Sequence, residues 1–184
     1  MKKLTLSFLL SATVAALVLL GADDPKPLNL APYFPTPTPV VKAMLELGEL
    51  KAGELVYDLG SGDGRIVIMA AQQFGAKAVG FEIDPKLVYQ SRQRIKKRKL
   101  DVLATIEQQD LMQADFSKPD LITVYLLPAS NDTIQPLLED QMKAGSRVIS
   151  HDFTFRGWEI EKEITVEDPN DEDIPFHKLF LYRR

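Results

Sequence analysis

The hydrophobic pattern divides the chain into three parts. Leu4 to Ala22 is an uncharged run of 19 residues, rich in Leu, Val and Ala, preceded by Lys2 and Lys3 and closed by Asp23 and Asp24. A charged start followed by an apolar run has the form of a signal peptide. The run also approaches the roughly 20 residues that cross a bilayer as a helix. Residues 1–22 are therefore expected to be a signal peptide or an uncleaved membrane anchor. Residues 23–39 hold six prolines, Pro25, Pro27, Pro32, Pro35, Pro37 and Pro39, a density that favours extended backbone and predicts a proline-rich arm. Residues 40–184 carry the alternating patterns of a folded domain.

Within that domain, Val40, Val41, Met44, Leu45, Leu47 and Leu50 are spaced for an amphipathic helix. Glu54 to Leu59 reads as an apolar strand ending in a glycine-rich turn, followed by a helix from Gly64 to about Phe74. Lys77 to Ile83 is a second strand, and Pro85 opens a helix to about Lys99. Further strands are expected at Ala104 to Gln108, Leu121 to Leu127 and Ser146 to His151. Asn131 is placed to cap a helix running to Lys143, which Pro136 would delay or kink. Glu159 to Val166 and Lys178 to Tyr182 form a closing strand pair around an acidic loop, Glu167 to Pro175. Strands alternating with helices give an α/β fold with a mostly parallel sheet covered on both faces. The closing pair adds an antiparallel edge.

Composition narrows the chemistry. The chain has 184 residues and a formal charge of −4, one domain's worth of chain and a poor match to the positive surface that nucleic acid requires. No nucleic-acid partner is expected. There is no cysteine and there are only two histidines, His151 and His177. Thiol chemistry is excluded, and no histidine-built metal site is expected.

The chemical signal lies in Asp58-Leu59-Gly60-Ser61-Gly62-Asp63-Gly64-Arg65. Glycines at alternate positions allow a ligand close to the backbone and accept left-handed φ angles. A strand, such a turn and a helix build a nucleotide crevice at the carboxyl ends of the strands. Glu82 follows Gly60 by 22 residues, where an acid binds the hydroxyls of an adenosyl ribose. Dinucleotides require G-x-G-x-x-G, whereas the spacing here is G-x-G-x-G. Asp58 would repel a pyrophosphate and attract the ammonium of S-adenosyl-L-methionine, and Asp63 adds negative charge. The expected cofactor-binding set is Asp58, Gly60, Ser61, Gly62, Gly64 and Glu82. Asp110, after the third strand, is a candidate partner for the adenine amino group or simply a turn aspartate.

With Pro32-Tyr33-Phe34-Pro35-Thr36-Pro37, Val124-Tyr125-Leu126-Leu127-Pro128 and Ser150-His151-Asp152-Phe153 beside the glycine motif, residues 33–184 resemble the class I S-adenosylmethionine-dependent methyltransferases. More narrowly, they resemble the ATP synthase c-subunit lysine N-methyltransferase family and its prokaryotic relatives. The resemblance implies a Rossmann-like seven-stranded sheet and methyl transfer to a protein lysine. A small-molecule methyltransferase and a non-catalytic cofactor-binding protein are the alternatives. It also implies that the arm, through Tyr33 and Thr36, closes over the cofactor. Tyr125, Pro128 and Asn131 are expected at the methyl-transfer mouth, against the plainer reading of loop packing and a helix cap. His151 is a candidate proton relay or a satisfied loop histidine. Phe153, Phe155 and Trp158 would wall a lysine channel or pack in the core. Membrane association through residues 4–22 carries a conflict: Lys2 and Lys3 favour a cytoplasmic amino terminus, which places the domain across the membrane from a cytosolic methyl donor.

Overall fold

The computed structural model describes residues 30–184. The apolar run 4–22 and the first prolines of the arm lie outside the described residues. Among the described residues, no helix is long and apolar enough to cross a membrane.

Seven strands form one sheet: β1 (Leu55–Leu59), β2 (Lys77–Glu82), β3 (Ala104–Gln108), β4 (Leu121–Val124), β5 (Arg147–His151), β6 (Lys162–Glu167) and β7 (Phe176–Arg183). Their order is β3-β2-β1-β4-β5-β7-β6. The first five are parallel, whereas β7 runs antiparallel to both β5 and β6. The reversed strand thus lies one in from the edge, and β6 closes the sheet. The strand order reverses direction at β1, between β2 and β4, and ligands of open α/β sheets bind outside the carboxyl ends of the strands at such a point.

Among the described residues, four α-helices cover the sheet: α1 (Thr38–Leu47), α2 (Arg65–Phe74), α3 (Pro85–Lys97) and α4 (Pro128–Gln141). Alternate strand residues feed two apolar layers. Val56, Leu121 and Ile149 join α1, α2 and α3 on one face, and Leu59, Ile122 and Val148 join α4 on the other. Helix α1 starts at Thr38, ahead of its apolar stripe, because Pro39 fits the first turn, where no amide need be bonded. Helix α2 has glycine in the left-handed region at each end, Gly64 at φ 76° and Gly75 at φ 66°. Asp84 caps α3 by accepting from the Lys86 amide at 2.7 Å.

Two sequence readings change. Strand β4 stops at Val124, because the chain turns out of the sheet at Tyr125 to enter α4. Helix α4 then begins at Pro128, with Leu127 at its cap position and Pro136 retained inside it. Asn131 is consequently no cap; it is fully buried in the first turn, and its Nδ2 donates to the Phe153 carbonyl at 3.3 Å. Arg147, the first residue of β5, is buried. Its guanidinium donates to the carbonyls of Gly48 (2.7 Å) and Glu49 (2.9 Å) and pairs with Glu54 at 2.8 Å. It satisfies the carbonyl end of α1, where a cation is favoured.

Candidate active site

The glycine turn connects β1 to α2 and is held from β2. Glu82 accepts the Gly62 amide at 2.7 Å through one oxygen, and the Ile83 and Asp84 amides at 2.8 and 2.9 Å through the other. Close packing explains why small residues surround it. A Cβ on Gly80 would come within 2.5 Å of Ser61 Cβ and 2.7 Å of Ile106 Cδ1. A Cβ on Gly62, whose φ is 52°, would come within 2.7 Å of the Tyr33 ring.

An open cleft lies over this turn. It brings together Tyr33, Thr36, Asp58, Gly60, Ser61, Gly62, Glu82 and Tyr125 of the expected residues. Gly64 is not among its walls but forms the left-handed start of α2. Asp110 is not among them either. Its carboxylate accepts the Met112 amide at 2.9 Å and caps a single 3₁₀ turn, while Gln109 and Leu111 take the wall. Pro128, Asn131 and His151 also stand outside the cleft lining.

Charge in the cleft is unevenly available. Asp58 is buried, and burial pushes its carboxyl up to about 7; the hydrogen bond from Thr123 Oγ1 at 2.8 Å opposes this, and the negative charges of Glu82 and Asp63 add to it. Asp58 is an acid waiting for a cation. Asp63 behaves in the opposite way. Burial raises it, but hydrogen bonds from Arg65 and Arg94 prevail and hold it near 2. Its charge is spent on those two guanidiniums, so the expected contribution of Asp63 to cation attraction is corrected. Arg94 and Arg92, which grips the Ile106 carbonyl at 2.7 Å, are likewise held inward from the basic end of α3.

The arm is docked along the cleft. The Leu30 carbonyl accepts from Ser130 Oγ, the Thr36 carbonyl accepts from Arg65 at 2.7 Å, and Thr36 Oγ1 lies 3.3 Å from His151 Nδ1. The Phe34 ring meets Tyr125 edge-on, with centroids 6.4 Å apart. At this mouth Tyr125 stacks on His151 (3.7 Å between centroids) and donates to Asp152 Oδ2 at 3.4 Å. Burial, then Asp152, pushes Tyr125 up to about 12, so its hydroxyl keeps its proton. Burial pushes His151 down to about 4, with Asp152 opposing and His177 reinforcing. A histidine behind Tyr125 with that affinity for protons is a poor relay at neutral pH. Phe155 and Trp158 are not channel walls: they stack at 4.6 Å and meet Tyr182 in the core, leaving Phe153 near Tyr125.

These residues fit S-adenosyl-L-methionine. Asp58 offers a buried carboxylate to an ammonium, Ser61 Oγ is buried without a hydrogen-bond partner among the described residues, and the glycine turn leaves its backbone approachable. The family model for the ANTKMT methyltransferase domain matches residues 58–162. The chain belongs to this methyltransferase family. A protein-lysine N-methyltransferase of Saccharolobus islandicus (strain REY15A) is 40% identical over 152 residues, 82% of this chain and 92% of that protein. The human ATP synthase c-subunit lysine N-methyltransferase is 34% identical over 127 residues; the match takes in 69% of this chain but 54% of the human protein. The crystal structure of an RNA methyltransferase from Salinibacter ruber with S-adenosyl-L-homocysteine superposes with a TM-score of 0.74 at 41% identity, covering 82% of this chain and 93% of that one. The enzyme is an S-adenosylmethionine-dependent methyltransferase. When bound, the cofactor supplies a methyl group made electrophilic by its sulfonium. Asp58, Ser61 and Glu82 would hold it, while the Tyr125 and Phe34 rings meet in the cleft wall.

Proposed function

We propose that this methyltransferase transfers its methyl group to the side-chain amine of a protein lysine. The observation that carries the reading is the aromatic mouth formed by Phe34, Tyr125 and Phe153, taken with the 40% identity to a protein-lysine N-methyltransferase along nearly its whole length. A lysine amine must lose a proton before it attacks, and an apolar, partly dry channel lowers its pKa. Alignment of the amine with the methyl group then supplies much of the rate. Tyr125 stays protonated and shapes the channel, and no side chain at the mouth needs to act as a strong base. The β6–β7 connection, which reaches the same end of the sheet, carries Asp171, Glu172 and Asp173 and favours a basic substrate segment.

The Salinibacter ruber protein is described as an RNA methyltransferase, which makes RNA the second reading. Against it stand the net charge of −4 and the acidic connection at the same end of the sheet. Isotopically labelled cofactor incubated with a cell lysate separates the readings. Label in a protein band, with methyl-lysine after hydrolysis, is expected; label confined to RNA or to extractable small molecules overturns the proposal. The apolar run 4–22 brings the enzyme to a membrane. Fractionation checks this: the full chain should pellet with membranes and a chain starting at residue 23 should not.

A further inference from the structure

The chain's two histidines, 26 positions apart, meet because β5 pairs with β7 so that His151 lies opposite Leu179. Both rings are fully buried. The residue between β5 and the following loop, Asp152, adopts φ 58° in a tight turn closed by the Phe153 amide and the His151 carbonyl at 2.7 Å. That turn swings its carboxylate back toward both rings. His151 Nε2 lies 3.0 Å from His177 Nδ1, Asp152 Oδ2 lies 3.3 Å from the first nitrogen, and 3.5 Å from the second.

These three separations are close to the edges of a coordination tetrahedron. Bonds of about 2.0–2.1 Å from zinc to nitrogen and oxygen set neighbouring ligand atoms about 3.3–3.4 Å apart. Two of the three ligands also carry the supporting contact usual for metal ligands. Thr36 Oγ1 lies at the other nitrogen of His151, at 3.3 Å, and the Lys178 amide donates to the other oxygen of Asp152 at 2.8 Å. Hydrogen bonding alone serves the cluster less well. Three potential acceptors, His151 Nε2, His177 Nδ1 and Asp152 Oδ2, converge with few protons to share among them. A divalent cation satisfies all three at once.

We propose that His151 Nε2, His177 Nδ1 and Asp152 Oδ2 form a site for a divalent transition-metal ion of the zinc type, with a fourth position left for water or the Tyr125 hydroxyl. The site is structural. It fastens the end of β5 to β7, steadies the ring on which Tyr125 stacks, and through Thr36 ties the arm to the sheet. It stands independently of the acceptor proposed above, since its test uses no methyl acceptor.

The probes are Co²⁺ and Zn²⁺ added to the full chain after chelator treatment and dialysis. One equivalent of Co²⁺ is expected to bind with the visible absorption of a tetrahedral complex, Zn²⁺ is expected to displace it, and Zn²⁺ is expected to raise the melting temperature. His177→Ala and Asp152→Ala should each weaken Co²⁺ binding by more than the about 10–100-fold typical of losing a mere supporting residue, while still binding S-adenosyl-L-methionine as proof of fold. If His177→Ala does not fold, Asp152→Ala decides, since that side chain is partly exposed. A wild-type chain that takes up no Co²⁺, or variants that bind it as tightly as wild type, overturns the site.

Discussion

At the scale of single residues, Asp58 decides how the cofactor site responds to pH. Its folded pKa, about 7, lies above the roughly 3.9 of an unfolded aspartate. The folded protein therefore holds the extra proton between those values, and this group's contribution to stability falls as pH rises through that window. A cationic ligand reverses the preference by favouring the carboxylate. Cofactor binding at pH 6 should accordingly release close to one proton, and affinity should rise with pH until about 7. Calorimetry in two buffers of different ionisation enthalpy measures the release, and Asp58→Asn should abolish it and weaken binding at least tenfold. A wild-type protein that releases no proton would show that Asp58 does not meet the ligand's charge. Gly80 makes a second case. It sits inside β2 with Ser61 Oγ 2.6 Å from where its Cβ would stand, so Gly80→Ala must displace the cofactor turn or strain β2. A loss of about 1–3 kcal/mol in stability, with cofactor affinity reduced, is the expected outcome in denaturant titration and calorimetry. Sequence spacing picked out Asp58, Gly60, Gly62 and Glu82, which line the cleft, because turn chemistry is local. It gave no sign of Gly80 or Thr123, or that His177 meets His151, and it misjudged Asp63. Their roles depend on neighbours 31 positions away for Asp63 and 26 for His177.

At the scale of elements, the periodic pattern located every strand and α-helix among the described residues, and Ala104–Gln108 matched its boundaries. The errors fall where tertiary contacts override local signals. Asn131 has the chemistry of a cap, yet Pro128 already supplies a helix start that needs no amide, and the Asn131 side chain is drawn to the loop after β5. Pro136 was expected to delay or kink α4, and it sits inside an unbroken helix. It leaves the Asp132 carbonyl without its usual amide. Since an interior proline costs about 3 kcal/mol and its stiffening of the unfolded chain returns only about 0.4–1 kcal/mol, Pro136→Ala should stabilise the fold by about 2 kcal/mol. Its exposed side chain makes unchanged cofactor affinity the accompanying expectation, and a fall in melting temperature would show that the proline serves the helix. Arg147→Ala should act the other way. It strands the Gly48 and Glu49 carbonyls and unpairs Glu54, for an expected loss of about 2 kcal/mol, moderated because Glu54 retains some contact with water.

At the scale of the molecule, the arm and the sheet act as one ligand-binding body, although the sequence separates them by a helix. Leu30, Tyr33, Phe34 and Thr36 reach Ser130, Gly62, Tyr125 and Arg65, so the arm spans both α2 and α4 across the cleft. Composition alone made this segment an extended linker, because proline density reports backbone stiffness and not what the intervening aromatic residues touch. Ligand stabilisation tests the union quantitatively. Cofactor at a hundred times its Kd should stabilise the enzyme by about 2.7 kcal/mol, equivalent to about 5–10 °C in Tm at about 2–4 °C per kcal/mol for a chain of this size. Tyr33 is half exposed, so Tyr33→Ala should barely change the Tm of the free enzyme. If the ring covers bound cofactor as it covers Gly62, its removal weakens binding about tenfold, and the stabilisation at the same cofactor concentration falls to about 1.4 kcal/mol. The shift in Tm would then be roughly halved. An undiminished shift in Tyr33→Ala would mean that the arm packs on the glycine turn without contributing to the ligand site, and the cleft would then owe its affinity to the sheet alone.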